Sequence, residues 1–190
     1  MAAETVGILL SAATLVDVAA ASVAAIVQLN YLRAGNHLNA LLEILNQWNL
    51  PEVQAALSEL RAIPEKVKDP QYVAALRAPG SMERTKYPEF LALDMWEQIG
   101  TYCKYRLIDE KVLLDITSSQ VLNAWRNAEP AIAIVREHAG LSAMENFEYL
   151  ATRATLWNRR YPDGNYPKRL GRMPPFETRP AGAPQDDTKS

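Results

Sequence analysis

Two pairs of carboxylates share one spacing. Asp94 and Glu97 stand three residues apart, and so do Glu145 and Glu148; Glu89 precedes the first pair on the same helical stretch. On a helix this spacing puts both acids of a pair on one face. Carboxylates on facing helices can hold a di-iron centre, but such centres add a Glu-x-x-His pair from each of two helices, and this sequence has none. His37 and His138 are far apart, and neither belongs to an H-E-x-x-H pattern. His138 follows Glu137, but adjacent helical positions point about 100° apart and do not chelate together. His138 reads instead as a C-terminal helix residue before Gly140, favoured by the helix dipole. The acids read as partners for buried arginines such as Arg126, Arg136 or Arg153, or as caps. Acid–base catalysis through Glu97 or Glu148 is the enzymatic alternative. Cys103, on the apolar side of its helix, reads as a buried, inert thiol. There is no Ser-His-Asp signature, phosphate-cradling glycine loop or P-loop. The expectation is a protein with no catalytic residue, no cofactor and no metal.

The second chemically pointed stretch is basic. Between Arg153 and Arg179 stand seven basic residues (Arg153, Arg159, Arg160, Lys168, Arg169, Arg172 and Arg179) against two acids, Asp163 and Glu177. Tyr161, Tyr166 and Phe176 are interleaved with them. Such a stretch suits anionic lipid headgroups, at about 1 kcal/mol per basic residue, or an acidic protein surface. The bland alternative is a solvated tail. Aromatics between arginines are a weak sign of nucleic-acid binding, and a net charge of −2 for the whole chain adds nothing to it. No nucleic acid is expected.

The elements that must position these groups are unevenly laid out. The chain has 190 residues, 48% of them apolar, enough for one core plus an anchor. One cysteine excludes an intramolecular disulfide framework and multi-cysteine metal sites. All 20 Lys and Arg residues lie at or after Arg33, and the 32 residues before it carry only Glu4 and Asp17 as charges. Residues 6–27 form a 22-residue apolar run, about the length that crosses a bilayer as a helix. Its ten Val, Ile and Leu residues contribute about −3 to −6 kcal/mol to insertion, against about +2.5 to +3.5 for Asp17. A signal peptide wants a basic start, whereas this chain begins MAAE. An Ala-rich core helix of a soluble protein is the other competitor.

On a helical wheel, Ala13, Ala20, Ala21 and Ala24 share a face with Asp17, while Ile8, Leu15 and Ile26 lie opposite. Small residues let helices approach closely in a bilayer. Asp17 on that face would then point at a partner helix, its own copy or another membrane protein, rather than at lipid. With no basic residue before the span and Arg33 just after it, positive-inside bias puts the N-terminus outside and the rest in the cytoplasm.

Beyond the span, Leu38, Leu41, Leu42 and Leu45 keep helical spacing and read as an extension of the first helix. Asn49-Leu50-Pro51 breaks it and starts a helix to about Ile63; Asp69-Pro70 starts a short one ended by Pro79-Gly80. Pro88 opens a helix to about Arg106. Asp109 caps another, Thr117-Ser118-Ser119-Gln120 restarts one as a capping box, and Pro130 begins one that ends at Gly140. Ser142-Ala143-Met144-Glu145 is a further capping box before Phe147 and Leu150. The tryptophans at 48, 96, 125 and 157 read as core or interface anchors. The fold class is all-α: a transmembrane helix, a small bundle of short helices, and an extended Pro-rich tail holding six of the 12 prolines. The expected division is an anchor at 1–33, a membrane-proximal helical segment at 34–85, a helical domain at 86–160 and the tail at 161–190.

The order Leu93-Asp94-Met95-Trp96-Glu97-Gln98-Ile99-Gly100, Leu107-Ile108-Asp109, Trp125, Ile134-Val135-Arg136 and Phe147-Glu148-Tyr149-Leu150 with Trp157 resembles the bacterial family called domain of unknown function 4760. The resemblance covers residues 86–157. It implies a single N-terminal membrane helix before a small helical domain, gives Glu97 and Glu148 added interest, and carries no reaction. The family often has Asn where Asp94 stands.

These readings converge on a membrane-anchored, non-catalytic interaction protein of the bacterial inner membrane, an accessory or assembly subunit of a larger membrane complex. Its expected contacts are membrane lipid, a helix on the Asp17 face (Ala13, Ala20, Ala21, Ala24), and an acidic surface or anionic lipid met by Arg159, Arg160, Lys168, Arg169 and Arg172. The alternative is a membrane-tethered regulatory or sensor domain that binds a small ligand between its helices.

Overall fold

Few residues in the first quarter of the chain can stop a helix, and none does so before Asn49. The computed structural model describes the backbone of residues 2–78 and 83–173, with side chains from residue 14 onward. Helix α1, Ala2–Trp48, runs for 47 residues, roughly 70 Å at 1.5 Å per residue. It passes unbroken through residues 33 and 34. It ends where expected: Leu50, held extended (φ −64°, ψ 135°) as a residue before proline is, separates it from α2, Pro51–Leu60. That helix is three residues shorter than its pattern suggests, because Ile63 opens a separate turn, α3, Ile63–Lys66. Helix α4, Pro70–Arg77, starts at the predicted signal, the Asp69 carboxylate accepting a hydrogen bond from the Gln71 N–H at 2.9 Å. The Pro79-Gly80 stop lies outside the described residues. Helix α5 spans Glu89–Lys104.

Two expectations about helix ends are overturned. The three helices anticipated between Asp109 and Gly140 are one, α6, Glu110–Ala139, 30 residues long. Asp109 does cap it, accepting from the N–H groups of Lys111 at 2.9 Å and Val112 at 3.3 Å. Thr117 does not restart it; its hydroxyl donates to the Leu113 carbonyl at 2.8 Å, the back-bonding that keeps a threonine inside a helix. Pro130 lies within it, and an interior proline costs about 3 kcal/mol or more. Burial of nine side chains along α6, on both sides of Pro130, offsets that cost. The second correction concerns α7, Glu145–Arg160. Its cap position is Met144, in the left-handed region (φ 56°, ψ 34°), and no side chain of that segment caps it. Ser142 lies in the preceding turn, so the capping box is unused.

Among the described residues all seven elements are helices. Helix α5 packs against α2 and α7, and α6 packs against α7, α4 and α3. The α5–α7 crossing is close enough that a Cβ on Gly100 would lie 2.0 Å from the Asn146 carbonyl oxygen, so only glycine fits there. An aromatic chain crosses the core: Trp48 meets Trp96 edge-on at 4.9 Å, Trp96 stacks on Phe147 at 5.9 Å, and Trp125 meets Phe147 edge-on at 5.1 Å. Such pairs add about 0.5–1.5 kcal/mol each beyond area burial. Trp157 lies apart, against Tyr161 at 4.6 Å.

Helix α1 belongs to this core only at its end. Leu41 and Ile44 are buried in it, whereas every side chain of residues 14–36 is exposed. The stretch Thr14–Trp48 has a mean hydropathy of 1.6 over its apolar window, none of which is buried in the chain's own fold. It is long and apolar enough to cross a membrane. A core helix of a soluble protein would be covered, and this one is not.

Candidate functional site

The helical repeat puts Asp17, Ala20, Ala21 and Ala24 on one side of the uncovered part of α1, all exposed. Ala13, the remaining residue expected there, lies outside the residues whose side chains are described. Asp17 has no hydrogen-bond or ion-pair partner among the described residues. Nearby, Ser22 turns its hydroxyl back to the Val18 carbonyl at 2.7 Å, leaving no donor outstanding.

The acids take roles that the spacing did not separate. Glu97 does not meet Arg126, Arg136 or Arg153. Its Oε2 accepts from the Phe147 N–H at 2.8 Å, and its Oε1 accepts from the Asn146 side-chain amide at 2.7 Å and the Asn146 N–H at 3.3 Å. A carboxylate on α5 thus supplies the cap that α7 lacks locally, against the positive end of that helix's dipole. Glu97 and Gly100, one turn apart, fasten and fit the same crossing. Glu148 does pair with Arg136, at 2.7 Å, and the Arg136 guanidinium also donates to the Ala143 carbonyl at 2.9 Å. Arg153 pairs with Glu110 at 2.6 Å, and Arg126 donates to Asn123 at 2.5 Å. Asp94 pairs with Arg84, and Glu145 with Lys104 at 3.0 Å. Every acid of the two spaced pairs therefore faces a cation or a helix terminus, an arrangement suited to holding helices together.

The buried carboxylate is Glu89, 0% exposed. The Tyr72 hydroxyl donates to its Oε1 at 2.8 Å and Lys66 Nζ donates to Oε2 at 3.0 Å, while Lys66 also reaches Glu59 at 2.8 Å. Burial pushes the Tyr72 hydroxyl well above its ordinary pKa, helped by Glu89. Burial opposes the charge on Lys66, but Glu59 and Glu89 together outweigh it and raise its pKa. The cluster ties α3 and α4 to α5, and removing one partner of such a buried pair costs about 3–5 kcal/mol. Sequence reasoning placed Glu89 on the helix but missed this role. The one local signal is an acid amid Tyr87, Phe90 and Leu91; nothing local points to Lys66 or Tyr72.

Cys103 is buried as expected, and burial pushes its thiol up to about 12, well away from reactivity at neutral pH. His37 is half-buried and His138 exposed. Among the described residues no group of acids, histidines and cysteine is placed to hold a metal.

A groove of about 820 Å³ opens between the end of α1, α2 and α6. Trp48 and Trp96 line it with Asn49, Gln54 and Ser58 on one wall and Gln120, Asn123 and Asn127 on the other. Arg61 and Arg126 are the charged residues of its lining, which contains no acid. The Trp96 indole N–H is buried and has no acceptor among the described residues. A buried donor without an acceptor costs about 1–3 kcal/mol. Sequence reasoning read Trp96 as core, which it is, and had no means of seeing the orphaned donor.

The basic stretch after α7 is described as far as residue 173. Arg159 and Arg160 close α7, and Lys168, Arg169 and Arg172 are exposed. Residues 161–173 form successive turns: Tyr161 accepts from Gly164 N–H at 3.1 Å, and Tyr166 donates to the Gly171 carbonyl at 3.1 Å. Arg172 lies over the Tyr166 ring at 4.9 Å and donates to the Asp163 carbonyl. The remainder of the expected extended tail, with Arg179 and four of its prolines, lies outside the described residues.

A family model described as Domain of unknown function (DUF4760) matches residues 15–154. No curated protein and no solved structure matches the chain.

Proposed function

The chain belongs to the DUF4760 family, and from that premise we propose that it is a membrane-anchored, non-catalytic interaction protein, an accessory or assembly subunit of a larger membrane complex. The observation that carries this reading is the uncovered half of α1. Residues 14–36 present their whole surface outward, and an apolar helix of that length is covered by lipid or by another helix. Lipid suits the bulky side. It does not suit Asp17, whose carboxyl lacks a partner within the described chain and would be costly against hydrocarbon. A helix from another membrane protein or a second copy, drawn close along Ala20, Ala21 and Ala24, removes it from lipid. The absence of basic residues before Arg33 puts the N-terminus outside and the helical domain in the cytoplasm of a bacterial inner membrane. Arg159, Arg160, Lys168, Arg169 and Arg172, all exposed and none held by a carboxylate among the described residues, then suit an acidic protein surface or anionic lipid.

The test is extraction of the tagged full chain from native membranes in mild detergent. A stoichiometric membrane protein, or a second copy of the chain, that is retained by the wild type and lost on Asp17→Leu with Ala21→Phe supports the reading. Recovery of a solitary chain, or a complex indifferent to both changes, sinks it.

One observation favours a second reading, a membrane-tethered sensor. The groove lined by Trp48 and Trp96 holds two arginines and several side-chain amides, with no acid among its lining. That chemistry suits a small, flat organic anion. Titrating the full chain with sodium benzoate while following the Trp96 indole N–H resonance checks it. A saturable shift abolished by Arg61→Gln supports a ligand site, and an unmoved resonance removes this reading.

A further inference from the structure

A second concavity, about 610 Å³, lies where α1 leaves its apolar stretch. It is bounded by Arg33 and His37 on α1, the α5–α6 turn, the start of α6 and the end of α7. Its lining holds two acids, and both are engaged within the fold: Asp109 caps α6, and Glu110 takes Arg153 and the Tyr149 hydroxyl. Two of its basic groups are likewise engaged, Lys104 with Glu145 and Arg153 with Glu110. Four others, Arg33, Arg106, Lys111 and Arg160, are exposed and have no carboxylate partner among the described residues. A cleft with four unmatched cations in a chain of net charge −2 invites anions.

Its position says which anions. Arg33 is the first basic residue of the chain and stands six positions past the apolar run at 6–27. If α1 spans the bilayer, Arg33 stands at the polar boundary, and the cleft that it borders stands at headgroup height. The α5–α6 turn adds a second, independent feature. Arg106 adopts the left-handed region (φ 57°), and the residues on either side of it, Tyr105 and Leu107, are 67% and 54% exposed. An exposed aromatic and an exposed leucine flanking an arginine suit the membrane interface, where aromatic rings sit among headgroups and arginines meet phosphates.

We propose that this cleft, with the Tyr105-Arg106-Leu107 turn, docks the phosphate headgroups of anionic phospholipids and so holds the helical domain against the membrane that α1 spans. The proposal rests on the membrane-spanning reading of α1. Each basic residue near an anionic surface contributes about a fivefold preference. The docked state should therefore weaken about fivefold for each arginine removed and strengthen with the anionic lipid fraction.

Hydrogen exchange of the full chain in lipid nanodiscs tests it. One set of discs is phosphatidylcholine; the other has about one-third phosphatidylglycerol. Slower exchange of residues 105–109 in the anionic discs, abolished in an Arg33→Gln, Arg106→Gln, Arg160→Gln variant of unchanged unfolding midpoint, supports the proposal. Equal exchange in both discs overturns it while leaving the anchor intact. Protection produced equally by free inorganic phosphate in phosphatidylcholine discs overturns it in favour of a soluble anion. Failure of the chain to enter either disc overturns the anchor, and this proposal with it.

Discussion

The two ends of α1 are one continuous helix in two different surroundings. Residues 14–36 carry valine, leucine and isoleucine on a rod that nothing in the described chain covers, while Leu41 and Ile44, about one to two turns further on, are sealed against the bundle. Apolar composition is shared by both; cover is not. The outer part mixes bulky residues with an alanine face and one unpartnered acid, a surface with no match elsewhere in the described chain. The inner part ends in Trp48, whose ring meets Trp96 on α5. A hydropathy profile reads the two alike, and the difference becomes visible only when the rest of the chain is in place. The outer part therefore depends on what surrounds the protein, and the inner part on the protein itself.

That contrast has consequences of graded size. The largest is location. A chain beginning at residue 34 should lose the membrane fraction completely after a high-salt wash while keeping a cooperative helical unfolding transition by circular dichroism. A truncated chain that stays membrane-integral, or that fails to fold, would erase the distinction between the two ends.

A smaller effect comes from one substitution made twice. Ile44→Ala should destabilise the bundle by about 2–5 kcal/mol, the cost of emptying a packed isoleucine site. Ile26→Ala should leave the bundle's denaturant midpoint unchanged. Equal losses at both positions would mean that the outer part is covered by the bundle after all.

Next comes the contrast between the two unusual acids. Glu97→Ala uncaps α7 and should cost about 1–2 kcal/mol, in the range of a lost helix cap, with Glu97→Gln losing less because an amide oxygen still accepts. Asp17→Ala should leave bundle unfolding untouched and alter association alone. Unfolding curves paired with cross-linking of the same variants separate the two.

The smallest effect is a pH limb confined to the bundle. The folded-state pKa values of Tyr72 and Cys103 are raised from 10.0 and 9.0, that of Cys103 to about 12. A raised folded value means stability that is complete below the unfolded value and lost as pH climbs through the folded one. Bundle stability should hold at neutral pH and decline from about pH 9 upward. Cys103→Ala should flatten the first part of that decline, as read from denaturant midpoints across alkaline pH. Deleting the outer part of α1 should leave the limb in place.

Much of the fold was legible residue by residue. The break at Asn49-Leu50-Pro51, the start at Asp69-Pro70 and the cap at Asp109 all follow from the backbone chemistry of two to four adjacent residues. The leucine stripe after the span was legible in part: Leu41 is buried and Leu45 half-buried, but Leu38 and Leu42 are exposed, and Ile44 takes an inward place between Leu41 and Leu45. Of the contact residues expected on the Asp17 face, Asp17, Ala20, Ala21 and Ala24 are left uncovered by the described chain. The Trp96 donor and the unmatched cations around Arg33 were not legible, because the first is defined by the side chains packed around it and the second by what lies across a cleft.

By itself the sequence determined an all-helical chain with one long apolar helix, the places where most helices begin, and family membership, since these depend on local propensity, proline geometry and apolar periodicity. Tertiary structure alone decided that α6 runs through Thr117 and Pro130, because burial along both sides of the helix outweighs two local stop signals. It decided that Glu97 caps a helix starting 48 residues later, that Gly100 must lack a side chain, and that Glu89 is sealed with Tyr72 and Lys66. Each of these is a contact between residues distant in sequence, and its energy exists only once the packing of α3, α4, α5 and α7 has brought them together.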